Sequence, residues 1–218
     1  MSAPAPAPSP EIFGPSEFQA QANVSRETLA RLKAFVALLT DWNARHNLVS
    51  ARSLDDVWRR HVWDSAQLLP LIPKDARSLV DLGSGAGFPG LILAVLLKER
   101  PGFRTVLYEA TAKKCKFLAA GAERLGVEVD IRNTRIESAA PEPFDLVTAR
   151  ACASLDRLLL YAQPFLGRRT KCLFLRGQSV AVELTGTRKS WRMKVTEHRS
   201  RSDPSGVILE IRDIRHVA

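Results

Sequence analysis

The stretch VDLGSGAGFPGLILAV, residues 80–95, limits the fold more than any other part of the chain: an apolar run ending in an acid meets a glycine cluster, then an apolar run of helical length. Glycines between a strand and a helix mark a tight turn where backbone closely approaches other groups. RSLVDLG, RTVLYEA, VEVDIRN, PFDLVTARA and KCLFLRG read as strands, and AKKCKFLAAGAERLG as a helix between the second and third. Continuous apolar strands separated by helices predict a parallel sheet covered on both faces. WRMKVTEHRS and GVILEIRDI read as a terminal hairpin turning at Asp203-Pro204-Ser205-Gly206. The expected architecture is α/β: a doubly wound, mostly parallel seven-stranded sheet with an antiparallel terminal hairpin.

With 218 residues the chain has room for one such core and a modest appendage. SRETLARLKAFVALLTDWN places Leu29, Leu32, Val36 and Leu39 at helical spacing behind a Ser25 cap, with Glu27 in the first turn. SLDDVWRRHVWDSAQLL predicts a second helix, with Ser53 and Asp56 as a capping box and Val57, His61, Asp64, Ser65 and Leu68 on one face. Pro70 and Pro73 end this region. The chain thus divides into a Pro- and Ala-rich tail over 1–20, expected to be disordered, a small helical subdomain over 21–73 and the α/β domain over 74–218. The tail has no positive charge before Arg26 and suits neither a signal nor a transit peptide, and no apolar stretch approaches the roughly 20 residues of a membrane span. Cys115, Cys152 and Cys172 lie far apart without C-x-x-C spacing, which argues for a reducing cytoplasm and no metal site.

In a doubly wound sheet the ligand sits at the carboxyl ends of the strands. Glu109, ending the second strand, follows Gly87 by 22 residues, close to the spacing of about 20 expected of a ribose-binding carboxylate. Two cofactors fit this pair. Read from Gly85, GAGFPG satisfies the G-x-G-x-x-G dinucleotide fingerprint and predicts a nicotinamide-dependent oxidoreductase. Read from Asp81, the letters spell D-x-G-x-G-x-G, the loop of S-adenosylmethionine-dependent methyltransferases. If the strand ends at Asp81-Leu82, Gly83 opens the loop, the chain turns on residues 83, 85 and 87, and GAGFPG starts too late. Pro89 withdraws an amide that a pyrophosphate would use, and the acid at 81 suits a sulfonium and an ammonium group. The chain also leaves little room for a second mononucleotide half. The class I S-adenosylmethionine-dependent methyltransferase fold is therefore expected, preceded by the helical subdomain.

Charge points to the partner. The chain carries a net +9, and from Arg168 onward twelve basic residues face five acidic ones. Such asymmetry is the footprint of a polyanion, or else a solvated charged face.

These residues resemble one family in particular, the bacterial 16S rRNA guanine-N7 methyltransferases called RsmG, formerly glucose-inhibited division protein B. The resemblance runs from about Thr40 to the last strand. It rests on WNARHNLVS, RRHVWDSAQLLP, VDLGSGAGFPG, KKCKFL, ARACASL and LRGQ, in that order. The glycine loop alone is shared by hundreds of methyltransferases; its combination with RH-x-x-DS and R-A-x-A-S-L is far narrower. The tail departs from the family pattern, as does Arg176 of LRGQ, where the family often carries lysine.

The resemblance implies methylation of guanine 527 at N7, in the 530 loop of 16S rRNA within the 30S subunit, with S-adenosylmethionine as donor and no membrane partner. Nothing in the sequence demands more than a monomer. Guanine N7 carries an in-plane lone pair, so attack needs no prior proton removal and catalysis rests on positioning and electrostatics. Consistently, Ala149-Arg150-Ala151 stands where amino-methylating relatives carry N-P-P-Y or D-P-P-Y. Arg150 is the candidate catalytic residue, donating to guanine O6 or clamping a phosphate; the alternative is a structural ion pair with Asp145. Cofactor-binding candidates are Asp81, Gly83, Ser84, Gly85, Gly87, Phe88, Glu109, Ala110, Arg135, Ile136, Glu137 and Arg150, with backbone of Ile136 and Glu137 beside the adenine. RNA-binding candidates are His61, Asp64, Lys113, Lys114, Arg168, Arg169, Arg176, Arg188 and Lys189. His61 and Asp64 read equally as a packed pair, and any single basic residue as solvated. A non-catalytic RNA-binding or ribosome-assembly module of the same fold is the remaining alternative.

Overall fold

A computed structural model describes residues 13–150 and 152–217. The described residues open with four helices, α1 (Pro15–Ala22), α2 (Arg26–His46), α3 (Ala51–Asp55) and α4 (Asp64–Ala66), with a π-helical turn over Trp58–Trp63 leading into the last. α2 starts at Ser25, whose side chain accepts from the amide of Thr28, and buries Leu29, Leu32, Phe35 and Leu39. Phe35, rather than the half-buried Val36, carries the central contact, with ring centroids 5.7 Å from Phe88 and 5.9 Å from Phe117.

Two expectations for this region need correction. Residues 15–20 belong to α1, whose Phe18 is fully buried against Trp58 and Trp63, so an apolar anchor fixes part of the assigned tail. The earlier part of the tail, over 1–12, lies outside the described residues. The capping box of Ser53 and Asp56 does not form: Ser50 caps α3, Ser53 donates back to the carbonyl of Ser50, and the helix stops at Asp55. The following π-turn and its flanking residues still bury Val57, His61, Ser65 and Leu68.

The sheet comprises β1 (Ser78–Leu82), β2 (Arg104–Tyr108), β3 (Asp130–Arg132), β4 (Phe144–Arg150), β5 (Leu166–Arg176), β6 (Trp191–Arg199) and β7 (Val207–His216), in the order β3-β2-β1-β4-β5-β7-β6. The pairs from β3 to β5 are parallel, and β7 runs antiparallel to both neighbours. Four further helices cover it: α5 (Gly90–Leu97), α6 (Ala112–Leu125), α7 (Leu155–Ala162) and α8 (Val180–Thr187). Side chains alternate along each strand, so one face packs Leu79, Leu146 and Leu173 on α5, while Val80, Val147 and Phe174 face α7 and α8. α5 is apolar nearly all round because it is covered twice, by the sheet and by the N-terminal helices. The N-terminal segment thus packs into one core with α5 and α6, and Arg31 ties it to the last turn of α6 by donating to the carbonyl of Leu125 at 2.9 Å.

Candidate active site

β1 ends at Leu82, so Gly83 opens the loop. Gly83, Gly85 and Gly87 all have positive φ, at +67°, +55° and +86°, a region costly for other residues. A Cβ on Gly87 would also lie 2.6 Å from Cδ1 of Leu91. Gly90 starts α5, and a Cβ there would come within 2.5 Å of Leu107 and 2.7 Å of Asp81 Oδ2. The last glycine of GAGFPG therefore answers to helix-on-strand packing.

Asp81 sits beneath this loop. Its Oδ1 accepts from Thr148 Oγ1 at 2.8 Å and its Oδ2 from the amide of Gly90 at 3.3 Å, and burial pushes its carboxyl up to about 6. It faces the root of α5, and with Gly87, which packs on Leu91, it acts on the loop's shape.

Above the loop lies a cleft of about 680 Å³ at the carboxyl ends of β1, β2, β4 and β5. Glu109, directly after β2, is 7% exposed, and each carboxylate oxygen holds one amide: Oε2 that of Gly85 at 3.0 Å, Oε1 that of Thr111 at 2.8 Å. A carboxylate has about four acceptor positions, so two remain for ribose hydroxyls. Gly83, Ser84, Gly85, Ala110, Arg135, Ile136 and Glu137 line the same wall, and among the described residues, apart from its chain neighbours, only the carbonyl of Gly83 lies within 4 Å of where a Cβ on Gly85 would stand. The open glycine cradle, the buried carboxylate and the apolar Ala110 and Ile136 fit an adenosine-bearing cofactor.

The opposite wall is built around Arg150, the last residue of β4. Its Nη1 donates to the carbonyl of Arg60 at 2.9 Å and lies 3.6 Å from Asp64 Oδ2, and its guanidinium stands 5.2 Å from the centroid of the Phe88 ring. Asp145, at the other end of β4, instead accepts from the amides of Arg77 and Ser78, so the expected alternative pair with Arg150 does not form. Burial pushes the Asp64 carboxyl up, against a 2.5 Å hydrogen bond from Ser202 and the charge of Arg150. His61 stacks on Phe88 with centroids 4.8 Å apart; burial, then the charges of Arg150 and Arg60, lower its pKa to about 3, and the ring stays neutral.

Lys114 and Arg176 also reach the cleft, whereas Lys113 does not line it. Arg176 donates to the carbonyl of Ala153 at 2.7 Å and pairs with Glu183, whose carboxylate holds the amide of Leu155 at 2.8 Å, so the pair braces the loop after β4. Arg168 and Arg169 lie near the start of β5, Arg188 and Lys189 between α8 and β6; all four are at the opposite end of the sheet, because β5 and β6 both run toward the cleft. Sequence reasoning missed the β6–β7 turn: Ser200, Ser202, Asp203 and Gly206 line the cleft. The signal was present, since a hairpin whose first strand parallels β5 must turn at the ligand end. Arg60, Cys152 and Tyr161 were also missed and carry no such signal.

Sheet order, glycine loop and acidic residue after β2 define a class I S-adenosylmethionine-dependent methyltransferase fold. A solved structure of ribosomal protein L11 methylase from Lactobacillus delbrueckii subsp. bulgaricus superposes with a TM-score of 0.56 at 15% identity, over 68% of this chain and 76% of that one. Residues 28–206 match the family model GidB, rRNA small subunit methyltransferase G, and the chain belongs to that family. Proteins named ribosomal RNA small subunit methyltransferase G are 47% identical in Parvibaculum lavamentivorans, over 94% of this chain and 92% of that protein, and 49% identical in Rhodospirillum centenum, over 96% and 94%. Family membership and the strand end at Leu82 together displace the nicotinamide reading.

Proposed function

We propose that this protein transfers the methyl group of S-adenosylmethionine to N7 of guanine 527 in 16S rRNA, acting in the cytoplasm as a monomer on the 30S subunit. Family membership and the fit of the cleft support the cofactor and the RNA class. When bound, S-adenosylmethionine supplies a methyl carbon made electrophilic by the adjoining sulfonium. Glu109 and the glycine loop would hold its ribose, and Ala110, Ile136 and Glu137 would flank its base. Among the described residues no helix is long and apolar enough to cross a membrane, and no His, Cys, Asp and Glu cluster suits a metal.

The observation carrying the N7 reading is the state of the ionisable groups around the cleft. Asp64 accepts from Ser202 and Gln67, Glu109 from two amides, Glu137 from the Tyr161 hydroxyl and Asp203 from Ser205, while His61 is a very weak base. Asp64, the carboxyl that burial raises, is committed to Ser202, Gln67 and the charge of Arg150, so the site suits a nucleophile with no proton to lose. Arg150 remains charged and supplies the donor that orients guanine through O6 or a neighbouring phosphate.

Small subunits and free rRNA incubated with methyl-labelled S-adenosylmethionine are expected to carry label on guanine N7. Label on an exocyclic amine or a ribose hydroxyl overturns the N7 reading, and no RNA label overturns the activity. Glu109→Ala is expected to weaken S-adenosylhomocysteine binding at least about tenfold, the loss of 1.4 kcal/mol. Arg150→Ala should leave that affinity within about twofold and lose transfer; equal affinity losses overturn the division of roles.

A further inference from the structure

The end of the sheet remote from the cleft carries a row of basic side chains, Arg168, Arg188, Lys189, Arg192 and Arg215. We infer that this row binds the phosphate backbone of structured RNA outside the methylated loop, an inference that rests on the rRNA methyltransferase reading. Arg168 is the third residue of β5, ahead of Lys171, where regular register with β4 resumes after an irregular step, and Arg176, its last, lines the cleft; Lys171 to Arg176 alone span about 16 Å at ~3.3 Å per residue. The row is continuous. Arg168 and Arg215 line one small cavity, Arg215 is the cross-strand partner of Arg192, and Arg192 donates to the carbonyl of Arg188 at 3.0 Å. All five are exposed and none forms an ion pair among the described residues, whereas the flanking Arg169 and Lys194 pair with Asp75 and Asp213.

Arg192 faces Arg215 and Lys194 faces Arg212 across the hairpin, and directly opposed like charges destabilise a sheet. Edge strands commonly carry basic residues that block pairing with other chains, and β6 is an edge strand. That accounts for Arg192 and also for Arg215, since β7 pairs with β5 only over residues 207–211, but not for Arg168 on β5 or for Arg188 and Lys189, which follow α8. Excess basic charge gathered from four elements, with Asp213 the neighbouring acid that feels Arg215, fits a polyanion that neutralises it on binding. Four of the five are arginines, whose forked donors match phosphate oxygens, and the site lies too far from the cleft to serve the base being methylated.

The test is a variant combining Arg168→Gln, Arg188→Gln, Lys189→Gln, Arg192→Gln and Arg215→Gln. Its binding to full-length 16S rRNA, to a short stem-loop carrying the target guanine and to S-adenosylhomocysteine is measured across salt concentrations. Affinity for full-length rRNA is expected to fall at least about 30-fold, and the slope of log K against log salt to drop by about 4, roughly one per phosphate contact. Stem-loop and S-adenosylhomocysteine affinities stay unchanged. Unaltered rRNA affinity and slope overturn the proposal, as does equal loss on both RNAs. Loss on assembled subunits with none on free rRNA also overturns it and points to an acidic protein. Arg188→Gln with Lys189→Gln lies off the sheet and is expected to lower the slope by about 2, which keeps the test valid if the fivefold variant folds poorly. Because binding is read without turnover, an absence of methyl transfer by the wild type would register separately.

Discussion

His61 shows how far a single residue can be pushed by its surroundings. Both ring nitrogens lack a hydrogen-bond partner among the described residues, the ring is 7% exposed, and its pKa falls from 6.5 to about 3. The unfolded side chain takes up its proton near pH 6.5 while the folded one resists, so this group makes stability fall as pH drops through that window. His61→Phe keeps a ring against Phe88 and removes the two nitrogens. Between pH 7 and pH 4 the wild type is expected to lose about 3 kcal/mol relative to this variant, read by denaturant unfolding. Parallel pH dependence in the two proteins would refute the assignment. Asp81 has the opposite sign: its carboxyl is raised, so its contribution is complete below about pH 4 and fades as pH rises through 6.

At the level of elements, the β6–β7 turn is held to the N-terminal helices by Gln67. Its side chain donates to Asp64 Oδ1 at 2.9 Å and Ser200 Oγ at 3.1 Å and accepts from the amide of Arg201 at 2.7 Å. Gln67→Ala is expected to cost about 1–3 kcal/mol through buried groups left unpaired. Hydrogen exchange should accelerate over residues 200–206 and stay unchanged in β1 and β4, and a uniform change would contradict this. None of this tie was legible in the sequence, because Gln67 and Ser200 are 133 residues apart and neither belongs to a periodic pattern. The strands were legible, since unbroken apolar runs bounded by glycine and charge have few other uses. Missed boundaries fall where tertiary contact overrides local preference: Phe18 turns a nominal tail into a helix, and the π-turn rescues a face that the end of α3 would have lost.

For the molecule as a whole, sheet order decided what could be read in advance. The glycine loop and Glu109 follow from topology alone, because parallel strands deliver their ends to one crevice. The basic third of the chain gave its sign but not its place: β5 carries Arg168 to one end of the sheet and Arg176 to the other. The cleft wall around Arg150 joins three distant segments, since Arg60 and Asp64 come before the sheet, Arg150 ends β4, and Ser202 lies in the last turn and holds Asp64 from 138 residues away. In genetic terms, alleles 138 codons apart should behave as one group: Ser202→Ala and Asp64→Asn, each tested for modified rRNA in cells, are expected to share a phenotype, and the double mutant to be no worse than the more severe single.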